Sequence, residues 1–327
     1  MRILFTLFLI PSVAAAELTP AQQLGKALFF DATLSEPAGQ SCATCHVPEN
    51  GFASADLRKG NRVPPSVAYA AFSPFLRWDR KDASYSGGQF RDGQAADLTE
   101  QAKGPLLNPL EMNNPDGAAV CRKVAAVYGK EFEALFEEKL DCAANGFDRI
   151  AGAIADYETS TEVNSFSSKY DAALDGRATL SASELHGLAL FRGPAKCERC
   201  HPSKLGPKGE RPLFTDFGYD NIGAPKNPDL PVDEGLGAFL KKPSEDGKFK
   251  TPTLRNVAAG ERAYLHNGTL KSLKDVVHFY NRRDSEWTPE EPRNLNHAEM
   301  GALGLSEQDE ADLVAFLKTL SDGYQNK

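Results

Sequence analysis

Apolar residues recur at helical spacing along much of the chain, and three segments add a start signal. Thr19-Pro20-Ala21-Gln22 joins an N-cap threonine, a proline at the first helical position and a glutamine that can complete a capping box; Leu24, Ala27 and Leu28 follow on one face. Ser181-Ala182-Ser183-Glu184 is a second capping box, ahead of Leu185, Leu188 and Ala189. Ser306-Glu307-Gln308-Asp309 opens a last helix with Leu313, Phe316, Leu317 and Leu320 on one stripe. Val124, Val127 and Tyr128, then Phe132, Leu135 and Phe136, then Ile150, Ile154 and Tyr157 continue the pattern through the middle. Period-two alternation is rare, and Pro- and Gly-rich stretches such as 224–247 separate the helices. The pattern predicts a mainly α fold with long loops and little β structure.

The pattern also repeats. Gly25-Lys26-Ala27-Leu28-Phe29 precedes Cys42-Ala43-Thr44-Cys45-His46, and Gly187-Leu188-Ala189-Leu190-Phe191 precedes Cys197-Glu198-Arg199-Cys200-His201. The two cysteine motifs stand about one domain length apart. Two related domains are expected, at 17–165 and 166–327. Ahead of them, residues 1–16 read as an export signal cleaved near Ala16. Arg2 gives the positive start, Ile3 to Ile10 an apolar run too short to span a bilayer, and Ala14-Ala15-Ala16 a small-residue cleavage site. Export to the periplasm is expected, where disulfides and covalent haem attachment are both permitted.

Composition narrows the function. Of 327 residues, 41% are hydrophobic and 25% charged, which excludes a disordered chain. A net charge of -8 leaves no excess to neutralise phosphates, so nucleic acid is not expected as a partner. No later segment is long and apolar enough to predict a membrane span. Six Cys, six His and three Met give any metal site a short list of ligands.

C-x-x-C-H is the attachment signature of c-type haem, and it occurs twice. Cys42 and Cys45, and again Cys197 and Cys200, would form thioethers to the haem vinyl groups; His46 and His201 would ligate the irons. A zinc site needs four ligands, and no second thiol or histidine pair lies near either motif. A redox dithiol explains neither the following histidine nor the duplication. The remaining histidines are His186, His266, His278 and His297, so none lies between His46 and His186. Met112 is the one local methionine of the expected mature first half, and packing beside a loop is the simpler expectation for it. The first iron is therefore expected to keep an open position, as a peroxide- or oxygen-reacting iron requires.

Further stretches complete the picture: Gln101-Ala102-Lys103-Gly104-Pro105-Leu106-Leu107-Asn108-Pro109-Leu110-Glu111-Met112, Phe166-Ser167-Ser168-Lys169-Tyr170-Asp171, Thr251-Pro252-Thr253-Leu254-Arg255-Asn256-Val257 and Tyr264-Leu265-His266-Asn267-Gly268. With the two haem motifs, they resemble the bacterial diheme cytochrome c peroxidases, within the wider family that includes the methylamine-utilisation enzyme MauG. The resemblance implies two c-type cytochrome-like haem domains. It implies a peroxide-reacting N-terminal haem and an electron-relaying C-terminal one. It assigns Gln101 and Glu111 to the distal pocket, where a carboxylate moves a proton between peroxide oxygens and an amide holds the substrate. Many members place a methionine across the second haem, fourteen residues beyond the position of His266; here that residue is Tyr280, as in MauG-like members. A phenolate favours higher oxidation states of iron, so Tyr280 is expected as the second iron's other ligand, with Met300 the competing candidate. The resemblance also puts His266 beside the second haem and Arg255 near a haem propionate.

Three departures stand out. A distal-loop histidine that moves on activation in many members is missing, with residues 58–65 in its place. The inter-haem tryptophan is missing from Phe90-Arg91-Asp92-Gly93-Gln94, and Trp78 is expected to be an ordinary core or surface aromatic. The interdomain calcium of the family stays open, because Val63 aligns with its asparagine ligand. Cys121 and Cys142 are left to form a disulfide. His186, His278 and His297 are read as ordinary helix or surface residues, and Lys241-Lys242 and Lys248 to Lys250 as solvated loop charges.

The first functional expectation is a diheme peroxidase-like oxidoreductase taking electrons from a small redox protein, a cytochrome c or a cupredoxin. The second is a MauG-like enzyme whose high-valent diheme state oxidises residues of a partner protein. A third, of another class, is a non-catalytic electron-transfer cytochrome. The resemblance admits a homodimer.

Overall fold

A computed structural model describes residues 17–55, 57, 60–81 and 83–325. The expected export signal and its cleavage site lie outside the described residues. The helices in chain order are α1 (Pro20–Phe30), α2 (Cys42–Cys45), α3 (Leu98–Leu107), α4 (Gly117–Phe136), α5 (Gly146–Glu158), α6 (Lys169–Leu174), α7 (Ala182–Arg192), α8 (Leu236–Leu240), α9 (Leu273–Glu286) and α10 (Glu307–Lys318). Among the described residues, strand structure is limited to two antiparallel pairs: β1 (Arg77–Asp79) with β2 (Ser84–Ser86), and β3 (Tyr219–Asp220) with β4 (Phe249–Lys250). The mainly α expectation holds.

The three start signals form as written. Thr19, Ser181 and Ser306 each accept a hydrogen bond from the backbone three residues on, and each capping box is closed. The repeated glycine before each haem motif has a packing cause. A Cβ on Gly25 would lie 1.8 Å from the Ala153 carbonyl oxygen of α5, and one on Gly187 would lie 2.0 Å from the Asp312 carbonyl oxygen of α10. Each glycine thus lets two helix backbones touch, α1 on α5 and α7 on α10. These are the two most extensive helix pairings. Around the first pair, Leu28, Phe29, Val124, Phe132, Ile150 and Ile154 form one buried cluster. Around the second, Tyr170, Phe191, Phe214, Leu313 and Phe316 form another. Cys121 and Cys142 are joined in the expected disulfide, which ties α4 to the segment entering α5.

Three expectations need correction. The 224–247 stretch is not all loop, since it contains α8. Arg255 does not reach outward to a propionate. Its guanidinium is fully buried against Asp171, with Nη1 and Nη2 at 2.8 and 2.9 Å from the two carboxylate oxygens, and its Nε donates to the Pro212 carbonyl at 2.8 Å. Lys250 is not a solvated loop charge. It sits in β4, and its ammonium donates to the Gly88 carbonyl.

Candidate haem sites

The first C-x-x-C-H motif occupies the single turn α2, where a spacing of three puts Cys42 and Cys45 on one face. The His46 amide closes the turn by donating to the Cys42 carbonyl at 2.9 Å. Burial pushes the Cys42 thiol up to about 12 and the His46 imidazole down to about 4, so both are neutral near pH 7. His46 Nδ1 is buried without a hydrogen-bond partner.

Facing this motif is α3. Its N-cap Asp97 accepts from the Glu100 amide, and Gln101 and Pro105 share a face one turn apart. The helix stops at Asn108 and the chain folds back on itself, with the Met112 amide donating to the Pro105 carbonyl at 3.1 Å. That reversal brings Glu111 and Met112 to the same cavity as Cys42, Cys45, His46 and Gln101. Asn108 Nδ2 donates to Glu111 Oε1 at 2.8 Å, and Gln40 Nε2 holds the Glu111 carbonyl at 2.9 Å. Burial raises the Glu111 carboxyl above its ordinary value, with the Asn108 amide opposing.

One residue of this cavity was missed in the sequence. Glu158 ends α5, is 3% exposed, and its Oε2 has no partner. Burial pushes its carboxyl up to about 8. The signal was present, since Glu158 stands four residues after Ile154 on the buried stripe of the helix.

The second motif forms a tight turn at Cys197–Arg199, and the His201 amide again donates to the first cysteine's carbonyl, at 2.9 Å. His201 Nδ1 lies 2.7 Å from the Phe214 carbonyl. A carbonyl only accepts, so Nδ1 carries the proton and Nε2 keeps its lone pair for a metal. The cavity beside it, about 200 Å³, has a mostly apolar lining. Val276, Val277 and Tyr280 enter it from α9, at helical spacing, and Met300 enters from the loop before α10. Both candidate ligands therefore reach the same cavity as His201. Burial raises the Tyr280 phenol, with Cys200 and Cys197 next in effect. His266 lines this cavity, stacks on Phe249 with ring centres 3.8 Å apart, and pairs through Nε2 with Glu290.

None of the four motif cysteines is disulfide-bonded. Paired thiols on one edge and a neutral imidazole beside them fit a covalently held haem at both places, and the second adds the apolar cavity. Trp78 lines neither cavity; it is 45% exposed and packs edge-on against Tyr85. His186 pairs with Asp312, and His278 with Glu310 and Glu286, as residues that join helices. No described helix is long and apolar enough to cross a membrane.

The family model of the di-haem cytochrome c peroxidases matches residues 19–179. The methylamine utilization protein MauG of Paracoccus denitrificans is 37% identical, over 96% of this chain and 93% of its own length. Cytochrome c551 peroxidase of Pseudomonas aeruginosa is 31% identical, over 92% of this chain and 78% of its own. The crystal structure of the diheme peroxidase BthA of Burkholderia thailandensis superposes with a TM-score of 0.82 at 34% identity, covering 94% of this chain and 87% of that one.

Proposed function

This chain belongs to the bacterial diheme cytochrome c peroxidase and MauG family, and on that premise we propose that it is an exported diheme c-type oxidoreductase acting on hydrogen peroxide. One observation carries the reading: Gln101 and Glu111 share a cavity with Cys42, Cys45 and His46. In this reading the units 17–165 and 166–327 hold one haem each, through Cys42, Cys45 and His46 and through Cys197, Cys200 and His201. Bound there, haem would supply the redox-active iron that passes electrons to peroxide. Glu111, oriented by Asn108, takes a proton from one peroxide oxygen and returns it to the other, so that the O–O bond breaks with water leaving. The Gln101 amide donates to the substrate and fixes which oxygen faces the carboxylate. Two electrons and two protons complete the conversion of peroxide to two waters. Tyr280 is the chain's second donor to the C-terminal site, ahead of Met300, because a helix holds it at a fixed register with Val276 and Val277.

A MauG-like reading shares every residue named so far and differs in the reductant, which is then a side chain of a partner protein. Tyr280 in the second cavity favours it, and so does the 37% identity to a MauG. Steady-state peroxide consumption with reduced cytochrome c or a reduced copper protein separates the two. The peroxidase reading expects turnover that falls by about 10²–10⁴-fold in Glu111→Gln while both haems stay attached. Negligible turnover with either donor would transfer the assignment to the protein-oxidising reading.

A further inference from the structure

A third cavity, of about 160 Å³, is lined from both halves of the chain, by Val63 and Tyr69 as well as by Thr251 and Tyr264. Arg91 and Lys250 line both it and the C-terminal haem cavity, and Arg262 lines it alone. All three cations are held by neutral oxygens. Arg91 Nε donates to the Val63 carbonyl at 2.8 Å. Lys250 Nζ donates to the Gly88 carbonyl and lies 3.5 Å from Ser73 Oγ. Arg262 Nη1 donates to the Asn256 carbonyl. Among the described residues, none of them forms an ion pair with a carboxylate. The nearby Arg62 differs, because Asp233 and Asp92 hold it at 2.5 and 2.6 Å. Burial lowers the Arg91 and Lys250 groups, to about 10 and about 8. A buried charge without a directly paired counter-charge is costly. Three such cations beside a carboxylate pair with only one negative charge to spare leave an excess of about two positive charges, which points to anions that arrive from outside the chain.

The same place fits a divalent cation poorly. Calcium needs six to eight oxygen ligands, typically with carboxylates among them. Here the aligned ligand position is Val63, its carbonyl accepts from Arg91, and the oxygens of Asp92 and Asp233 are engaged by the one guanidinium of Arg62, which leaves that trio a single negative charge against the three cations. A divalent ion would also stand among three like charges.

We propose that Arg91, Lys250 and Arg262 form a cationic bridge that binds the propionate carboxylates of both haems and stands in place of an interdomain calcium. The bridge rests on the diheme reading. The Lys250 amide also donates to the Arg91 carbonyl at 2.8 Å, which holds these two cations side by side. Each cation near a haem favours the reduced iron, so removing one lowers that haem's midpoint potential.

The test uses the holoprotein, with haem counted first and potentials read by spectroelectrochemical titration. The bridge expects dialysis against EGTA to leave both ferric spectra and both potentials unchanged. It expects Arg91→Met and Lys250→Met each to lower at least one potential, and Arg91→Lys to restore most of the Arg91 effect. Spectra or potentials that move with EGTA and return with added calcium would overturn it. So would methionine variants with two haems and unshifted potentials. Where Arg91→Met loses haem, Arg91→Lys decides: two retained haems support the charge role, and the same loss refutes it. A wild-type chain with fewer than two haems would refute the diheme reading itself.

Discussion

Asn108 matters because it sets how readily Glu111 gives up its proton. Burial raises the Glu111 carboxyl and the Asn108 amide opposes the rise. A base must be ionised to accept a proton, so turnover should fall as pH drops through the Glu111 value. Asn108→Ala removes the opposing hydrogen bond and should move that acid limb to higher pH. The kcat/KM profile for peroxide checks it, and an unmoved limb would separate Asn108 from the base. Asp171 shows the opposite sign. Burial alone would raise it, but the Arg255 hydrogen bonds and charge outweigh that and hold it below 3.8. The stabilisation is then complete above the unfolded value and is lost as pH falls through the folded one. Asp171→Asn strands a buried guanidinium and should cost about 3–5 kcal/mol at neutral pH. Chemical denaturation at pH 7 and pH 3 should show that gap narrowing in acid.

Helix crossings carry the architecture at the next scale. Gly25 and Gly187 stand before the two haem motifs and meet carbonyl oxygens of the facing helix, which cannot yield as a flexible side chain would. Gly25→Ala and Gly187→Ala should each destabilise by about 1–3 kcal/mol or more, seen as a lowered Tm. Gly129 is the control, since a Cβ there meets nothing within 4 Å; Gly129→Ala should be neutral or stabilising. α1, α4, α5, α7 and α10 were legible in the sequence because caps and apolar spacing are local properties. The short ones were not. α6 has only six residues, and its Tyr170 and Asp171 are fixed by Phe214, Phe316 and Arg255 from far along the chain. Isolated turns of that length are unstable, so tertiary contacts decide them. The same holds for Lys250, whose register opposite Tyr219 carries it inward.

For the whole molecule, the chemistry-bearing groups sort into two candidate haem cavities and the cationic one, and sequence revealed them unequally. The thiols and histidines announce themselves through a five-residue motif. Glu111 and Tyr280 were legible only through the family resemblance. Glu158 was marked only by its place on the buried stripe of α5, and Arg91 and Arg262 gave no sign, because a buried unpaired charge looks like any surface charge until the chain is folded. What differs most between the cavities is the set of donors opposite the histidine. The first offers Glu111, Gln101 and Met112, and the second Tyr280 and Met300. If Met112 packs rather than ligates, the ferric protein should show one high-spin and one low-spin signal in electron paramagnetic resonance. Tyr280→Met should leave the high-spin signal in place and change the low-spin one. It should also raise the potential of the second site, since a thioether favours reduced iron where a phenolate favours oxidised iron. A low-spin signal indifferent to Tyr280→Met but altered by Met300→Leu would give the position to Met300, and two low-spin signals in the wild type would leave the chain an electron carrier without an open iron.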